Sequence, residues 1–178
     1  MKLSNFQSHE PEEIILLFEK TFSDSEGATE GKFIGKLVRK LIGTTDEKDI
    51  FGFCTVNNGA LIGSIFFGRL FLPTEINAFM LSPVAVSTVY QRKGIGQSLI
   101  NYGLEQLKTE GVELVVTYGD PNYYNKVGFQ AISEDILAPP YELTCPKGWQ
   151  AQSLVSTPIS PIQGKSQCVK AFRNQEYW

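Results

Sequence analysis

Between Val84 and Tyr118 the chain reads as a strand, a glycine turn, a long amphipathic helix and a second strand. No other feature constrains the fold as much. Ile95, Leu99, Ile100, Gly103, Leu104 and Leu107 share one face at helical spacing, which predicts a helix over Gly94–Glu110 that Gly111 closes. Leu114-Val115-Val116 shows no polar alternation, so Glu113–Tyr118 reads as a strand buried on both faces. A strand, a crossover helix and a strand in one sheet run parallel and connect right-handed. Upstream, Asn58-Gly59 joins the apolar runs Ile50–Val56 and Ala60–Leu70 as a two-residue hairpin turn, which makes that pair antiparallel. The expected class is therefore α/β (α+β), with a mixed central β-sheet flanked by helices.

The remaining elements fit around this frame. Lys2–Phe6 is a candidate first strand. Pro11 suits the first turn of a helix, and Ile14, Ile15, Phe18 and Phe22 continue it. A loop over Ser23–Gly27 follows. Phe33, Ile34, Leu37, Val38 and Leu41 mark a second helix, closed at Gly43. Ile76–Val86 is a strand interrupted by Ser82-Pro83, and proline there makes it bulge, end or part from a neighbour. Asp120-Pro121 starts a short helix, with Asp as N-cap and Pro in the first turn, and Gly128 ends it. After Pro139-Pro140, Gln150–Val155 and Gln167–Phe172 alternate like strands. The reading is one domain over residues 1–178, with its core at 76–130 and a strand-rich tail over 139–178.

Composition narrows the function. The chain has 178 residues, 42% of them hydrophobic, and a formal net charge of −3, which argues against nucleic acid as a partner. Its apolar runs are too short to span a membrane, and its polar, acidic start does not read as a signal peptide. Three scattered cysteines, Cys54, Cys145 and Cys168, fit a reducing cytoplasmic setting better than a disulfide framework or a zinc site. His9 is the single histidine and lies in a polar segment, so histidine triads and His-rich metal centres are excluded, and no metal is expected.

Gln91-Arg92-Lys93-Gly94-Ile95-Gly96 is the strongest chemical signal. The first N–H groups of a helix lack internal partners, and the helix dipole adds positive charge there. Glycines let a phosphate approach, Gln97 extends the row of amides, and Arg92 and Lys93 add cations. The corner reads as a pyrophosphate cradle. It is not a dinucleotide fingerprint, because Leu99 stands where a third small residue belongs. Gly164-Lys165-Ser166 imitates the end of a P-loop, but Ile159 replaces the leading Gly and Pro161 sits inside.

These residues resemble the GNAT superfamily of N-acetyltransferases. Gln91–Gly96 matches its Q/R-x-x-G-x-G/A signature for acetyl-CoA, and Tyr124-Asn125-Lys126-Val127-Gly128-Phe129 is similar to its Y-x-x-x-G-F signature. Gly119-Asp120-Pro121, Tyr123-Tyr124 and Gly128-Phe129 resemble, more narrowly, a bacterial branch with a GDPxYYxxxGF pattern. The resemblance implies a V-shaped splay between the Ile76–Val86 and Glu113–Tyr118 strands. It also implies acetyl-CoA in that opening, its pantetheine arm paired with the backbone of Val84, Ala85 and Val86. Pro83 is an independent reason for the strand to leave its ladder there.

The resemblance further implies that Tyr124 protonates the departing thiolate, while Asn125 is either a cofactor contact or a helix-surface residue. Tyr123 reads as a packing or substrate-wall residue. Many members place a Glu or His in the strand before the pyrophosphate turn, but Phe79-Met80-Leu81-Ser82-Pro83 has neither. Glu75, or water relayed from Glu26, are the remaining candidates for receiving the amine proton. Nothing near Cys54 in sequence lowers its pKa, so direct transfer is expected over an acyl-cysteine route. The expected activity is acetyl transfer from acetyl-CoA to a primary amine, on a small molecule or a protein, by a monomer or homodimer. An inactive acyl-CoA sensor of the same fold is the alternative.

Overall fold

The structure is a computed structural model covering residues 1–178. Strand β1 (Lys2–Asn5) leads into helix α1 (Pro11–Glu26) and helix α2 (Ala28–Thr44). Strands β2 (Ile50–Asn57) and β3 (Ala60–Phe71) form the hairpin, with Asn58 and Gly59 both at positive φ. Strand β4 (Ala78–Val86), helix α3 (Ile95–Thr109) and strand β5 (Leu114–Tyr118) make the parallel crossover. Helix α4 (Pro121–Tyr124) follows, then strands β6 (Gln130–Ala131), β7 (Leu137–Ala138), β8 (Trp149–Ser153), β9 (Ile162–Lys165) and β10 (Gln167–Cys168).

The central sheet has the order β1-β2-β3-β4-β5-β8-β6, with β10 pairing the far end of β3. Every pairing in it is antiparallel except β4 with β5. Strands β7 and β9 form a separate parallel pair. One face packs on α1 and α2 through Ile14, Phe18, Leu37, Leu41, Phe66 and Met80, and the other packs on α3 through Ile65, Phe67, Leu99, Leu104 and Val115. Gly103 lies on the face of α3 that packs against the sheet. A Cβ there would stand 2.7 Å from the Phe67 ring. No helix is long and apolar enough to cross a membrane.

Several boundaries differ from expectation. The loop expected over Ser23–Gly27 shrinks to Gly27, at φ 100°, between two helices. Lys20 pairs with Asp24 one turn on, and the Ser25 hydroxyl donates to Thr21 O, so polar residues that resemble a loop extend α1. Helix α2 passes through Gly43. In the tail, the strand expected over Gln167–Phe172 keeps two residues before a 3₁₀ turn over Lys170–Phe172. Strand β8 is inserted beside β5 in the central sheet.

Candidate active site

The site begins where two strands part. Pairing of β4 with β5 runs from Ala78↔Leu114 to Leu81↔Thr117 and stops. On its other edge β4 continues to pair with β3, through Val84↔Ile65, Ala85↔Ser64 and Val86↔Gly63. Ser82 and Pro83 form the bulge between these stretches, where the register shifts opposite Phe66. Val84, Ala85 and Val86 therefore have one paired edge and one open edge facing β5. Thr117, fully buried, donates its hydroxyl to Leu81 O at 3.0 Å, so a side chain makes the last bond at the fork.

Beyond Val86 the chain turns through Thr88–Tyr90 into the corner that starts α3. Gly94 is the N-cap at φ 76°, and Arg92 adopts φ 60°, a left-handed conformation unusual outside glycine. The cap makes no side-chain hydrogen bond, and the first turn holds no acidic residue. Ser98 N–H is the first to bond within the helix, to Gly94 O, which leaves the amides of Ile95, Gly96 and Gln97 without a protein acceptor. The Ile95 side chain is buried against Ile62 and Val86, so it can offer a ligand only its backbone. Gln91 donates its amide to Val86 O at 3.0 Å and thereby ties the corner to β4. Lys93 reaches back to Val89 O and over the Tyr90 ring, while the Arg92 side chain is exposed.

The two tyrosines come from α4. Asp120 caps that helix by accepting from Asn122 N–H at 2.9 Å, and Gly128 at φ 94° ends the following 3₁₀ turn. Phe129 N–H returns to Tyr124 O. Tyr123 leans across to α3, where a Cβ on Gly96 would collide with its hydroxyl. Tyr124 packs edge-on to Tyr123 and Phe129, its ring so close to Gly119 that a Cβ there would lie 2.8 Å from it. Burial pushes the Tyr124 hydroxyl up to about 12, and the nearby Thr117 hydroxyl pulls the other way. Tyr124 is therefore a protonated donor at neutral pH.

The structure brings Val84–Val86, Gln91–Gln97 and Tyr123–Tyr124 together around one opening. Asn125 is exposed on the 3₁₀ turn after Tyr124. Asp24 accepts from the Thr88 hydroxyl at 2.7 Å, so the acidic end of α1 comes to the loop just past Val86. Glu26 is exposed at that end. Glu75 lies in the β3–β4 loop, at the other end of β4, and is not brought to the opening. Cys54 is buried against Ser64, and desolvation pushes its thiol up to about 11, which suppresses thiolate chemistry. Sequence reasoning missed Thr117, although a threonine ending a wholly apolar run was a visible signal. It also missed Tyr118, whose hydroxyl meets Thr144 Oγ1 and accepts from Cys145 N–H. A cavity of ≈ 730 Å³ lies away from the opening, beside the C-terminal end of α3 at Glu105, Lys108 and Glu113.

Comparison with known proteins agrees with this geometry. The family model described as the Acetyltransferase (GNAT) domain matches residues 44–131. The Escherichia coli K12 protein named uncharacterized N-acetyltransferase YjhQ is 29% identical over 141 residues, 74% of this chain and 76% of that one. YhbS of the same strain, also named an uncharacterized N-acetyltransferase, is 28% identical over 111 residues, 62% of this chain and 57% of its own length. The crystal structure of E. coli YhbS in complex with CoA superposes with a TM-score of 0.79 at 20% identity, over 97% of this chain and 92% of that one. A GNAT acetyltransferase from Brucella melitensis in complex with acetyl-CoA gives 0.74 at 24% identity, over 96% and 97%. At these identities the two structures bear on the fold alone. Sequence match, sheet order and the parting strands converge on the GNAT superfamily of N-acetyltransferases, which the chain matches over residues 44–131 and through its likeness to YjhQ and YhbS.

Proposed function

We propose that this protein transfers an acetyl group from acetyl-CoA to a primary amine by direct attack within a ternary complex. The observation that carries the reading is the open edge of Val84–Val86 beside the acceptor-free amides of Ile95–Gln97. An extended amide chain can add to the first as a strand would, and a diphosphate suits the second. The CoA and acetyl-CoA complexes of the structurally similar proteins support the same ligand. Val84 N–H is the donor for the thioester carbonyl, where charge grows as the amine attacks. Tyr124 gives its proton to the departing thiolate, and binding both substrates side by side supplies much of the rate.

No carboxylate stands in Phe79–Pro83, so the amine proton leaves through water toward the acidic end of α1 at Glu26. That end also favours a cationic acceptor, free or on a protein. Three free cysteines support a cytoplasmic setting, and the protein works as a monomer or homodimer. Tyr124→Phe tests the acid role. Thiol release should fall about 10²-fold in kcat while CoA affinity is kept. An unchanged kcat would remove the role. The missing β4 carboxylate favours one second reading, an acyl-CoA sensor. CoA binding without thiol release on a broad panel of amines would select it.

A further inference from the structure

Gln150 is the one wholly buried amide side chain, on β8 in direct register with Thr117, the residue at the fork. Its Nε2 donates to Gly119 O at 3.2 Å and to Gly148 O at 3.3 Å, while its Oε1 has no partner. A buried carbonyl left unpaired is unfavourable, and an apolar side chain of the same shape would avoid it. The amide's contribution therefore lies in its two donors. They hold the backbone just past the end of β5, where Gly119 N–H also bonds Gly148 O at 3.0 Å. Gly119 is the floor under the Tyr124 ring, and Thr117 is the hydroxyl that bears on Tyr124 and caps Leu81 O.

We propose that Gln150 is a positioning residue: by fixing Gly119 and Gly148 across from Thr117, it sets where Tyr124 stands at the opening. Neither it nor β8 belongs to the sequence signatures that describe the opening, so the inference extends the list of groups on which transfer depends. It rests on Tyr124 acting as the acid. Gln150 touches neither the amide corner of α3 nor the open edge of β4, so its loss should slow the acid step and spare cofactor binding. A donor displaced by about 1 Å can lose about 10²-fold in rate.

The test uses the whole chain, with acetyl-CoA as donor and hydroxylamine as acceptor, and compares Gln150→Met, Tyr124→Phe and the double variant. Methionine keeps the volume and removes both donors and the orphan acceptor, but it leaves the half-buried Gly119 O without its donor, so the melting temperature should fall by no more than about 2–4 °C. CoA affinity by calorimetry should stay within about twofold of wild type. Thiol release by Gln150→Met should fall at least about 10-fold. The double variant should be no slower than Tyr124→Phe alone, because both changes remove one function. Losses that multiply, or an unchanged rate in Gln150→Met, would overturn the proposal.

Gln150→Glu is an independent check should the methionine variant not fold. Its buried carboxyl can donate one hydrogen bond only while protonated, so its rate relative to wild type should fall as pH rises through its titration. A flat ratio would count against the proposal. If Tyr124→Phe alone leaves the rate unchanged, the acid reading falls first and this inference with it. If Tyr124→Phe is slow but the losses multiply, only the role of Gln150 falls.

Discussion

Gly96 serves the corner in two ways, and the second requires a glycine. It leaves its amide bare at the start of α3, and it leaves room for the Tyr123 hydroxyl. A methyl group in Gly96→Ala would displace that hydroxyl into the corner, so CoA affinity should fall about 10-fold, the cost of roughly 1.4 kcal/mol. The Tyr123 ring itself is not the obstacle, since its Cζ would be 3.5 Å from the added carbon. Adding Tyr123→Phe should therefore recover most of the loss. Calorimetry on the two variants decides it, and a double variant as weak as Gly96→Ala would show that the hydroxyl is not what the glycine accommodates. This contact was not legible in the sequence. The Q-x-x-G-x-G spacing announces a tight helix start, but the tyrosine that leans over it lies 27 positions away and arrives only through the crossover. Gln91 shows the same limit. Its place in the signature suggests a cofactor contact, and the bond that its amide N–H makes to Val86 O is not announced by that spacing.

At the scale of elements, sequence reading succeeded where one period and one terminator agree. Helix α3, the Asn58-Gly59 hairpin and the buried run of β5 carry such local signals, and each appears within a residue or two of its expected place. It failed where pairing is decided at long range. Strand β8 joins β5 along the edge that faces away from β4 and covers it over Leu114–Tyr118, and nothing in Gln150–Val155 says so. The helix pair α1–α2 was misread at Ser23–Gly27 because side-chain bonds along α1 outweigh the loop-like composition. The pair packs closely because Gly31 and Gly35 face Ser23 and Glu19 on α1 with no room for a Cβ. Gly103 on α3 provides a graded test of such packing. Alanine gains about 1 kcal/mol in helix propensity but brings a methyl 2.7 Å from Phe67 and 3.0 Å from Ile65, and overpacking costs about 1–3 kcal/mol. Gly103→Ala should lower the melting temperature by about 2–4 °C for each net kcal/mol lost. A raised melting temperature would mean that α3 can ride away from the sheet.

For the whole molecule, the tail is threaded through the core rather than appended to it. Strand β8 pairs β5 and β6, β10 pairs β3, and Trp178 packs beside Trp149, Tyr118 and Tyr141 with its indole N–H on Phe172 O. We propose that residues 1–178 fold as one cooperative unit. Both tryptophans of the chain are Trp149 and Trp178, so indole fluorescence follows the tail while far-UV dichroism is dominated by α1, α2 and α3. The two melting curves should coincide. Separate transitions would divide the chain into two units.

CoA binding as proposed depends most on its diphosphate meeting the free amides of Ile95–Gln97. Calorimetry of CoA against the folded wild-type chain and against Gly96→Glu addresses that contact alone, with no acceptor needed. The wild type should bind with a Kd in the micromolar range, about −8 kcal/mol, and Gly96→Glu, which fills the corner with bulk and negative charge, should show no binding heat while melting normally. No binding by the wild type, or equal binding by both proteins, would contradict the account.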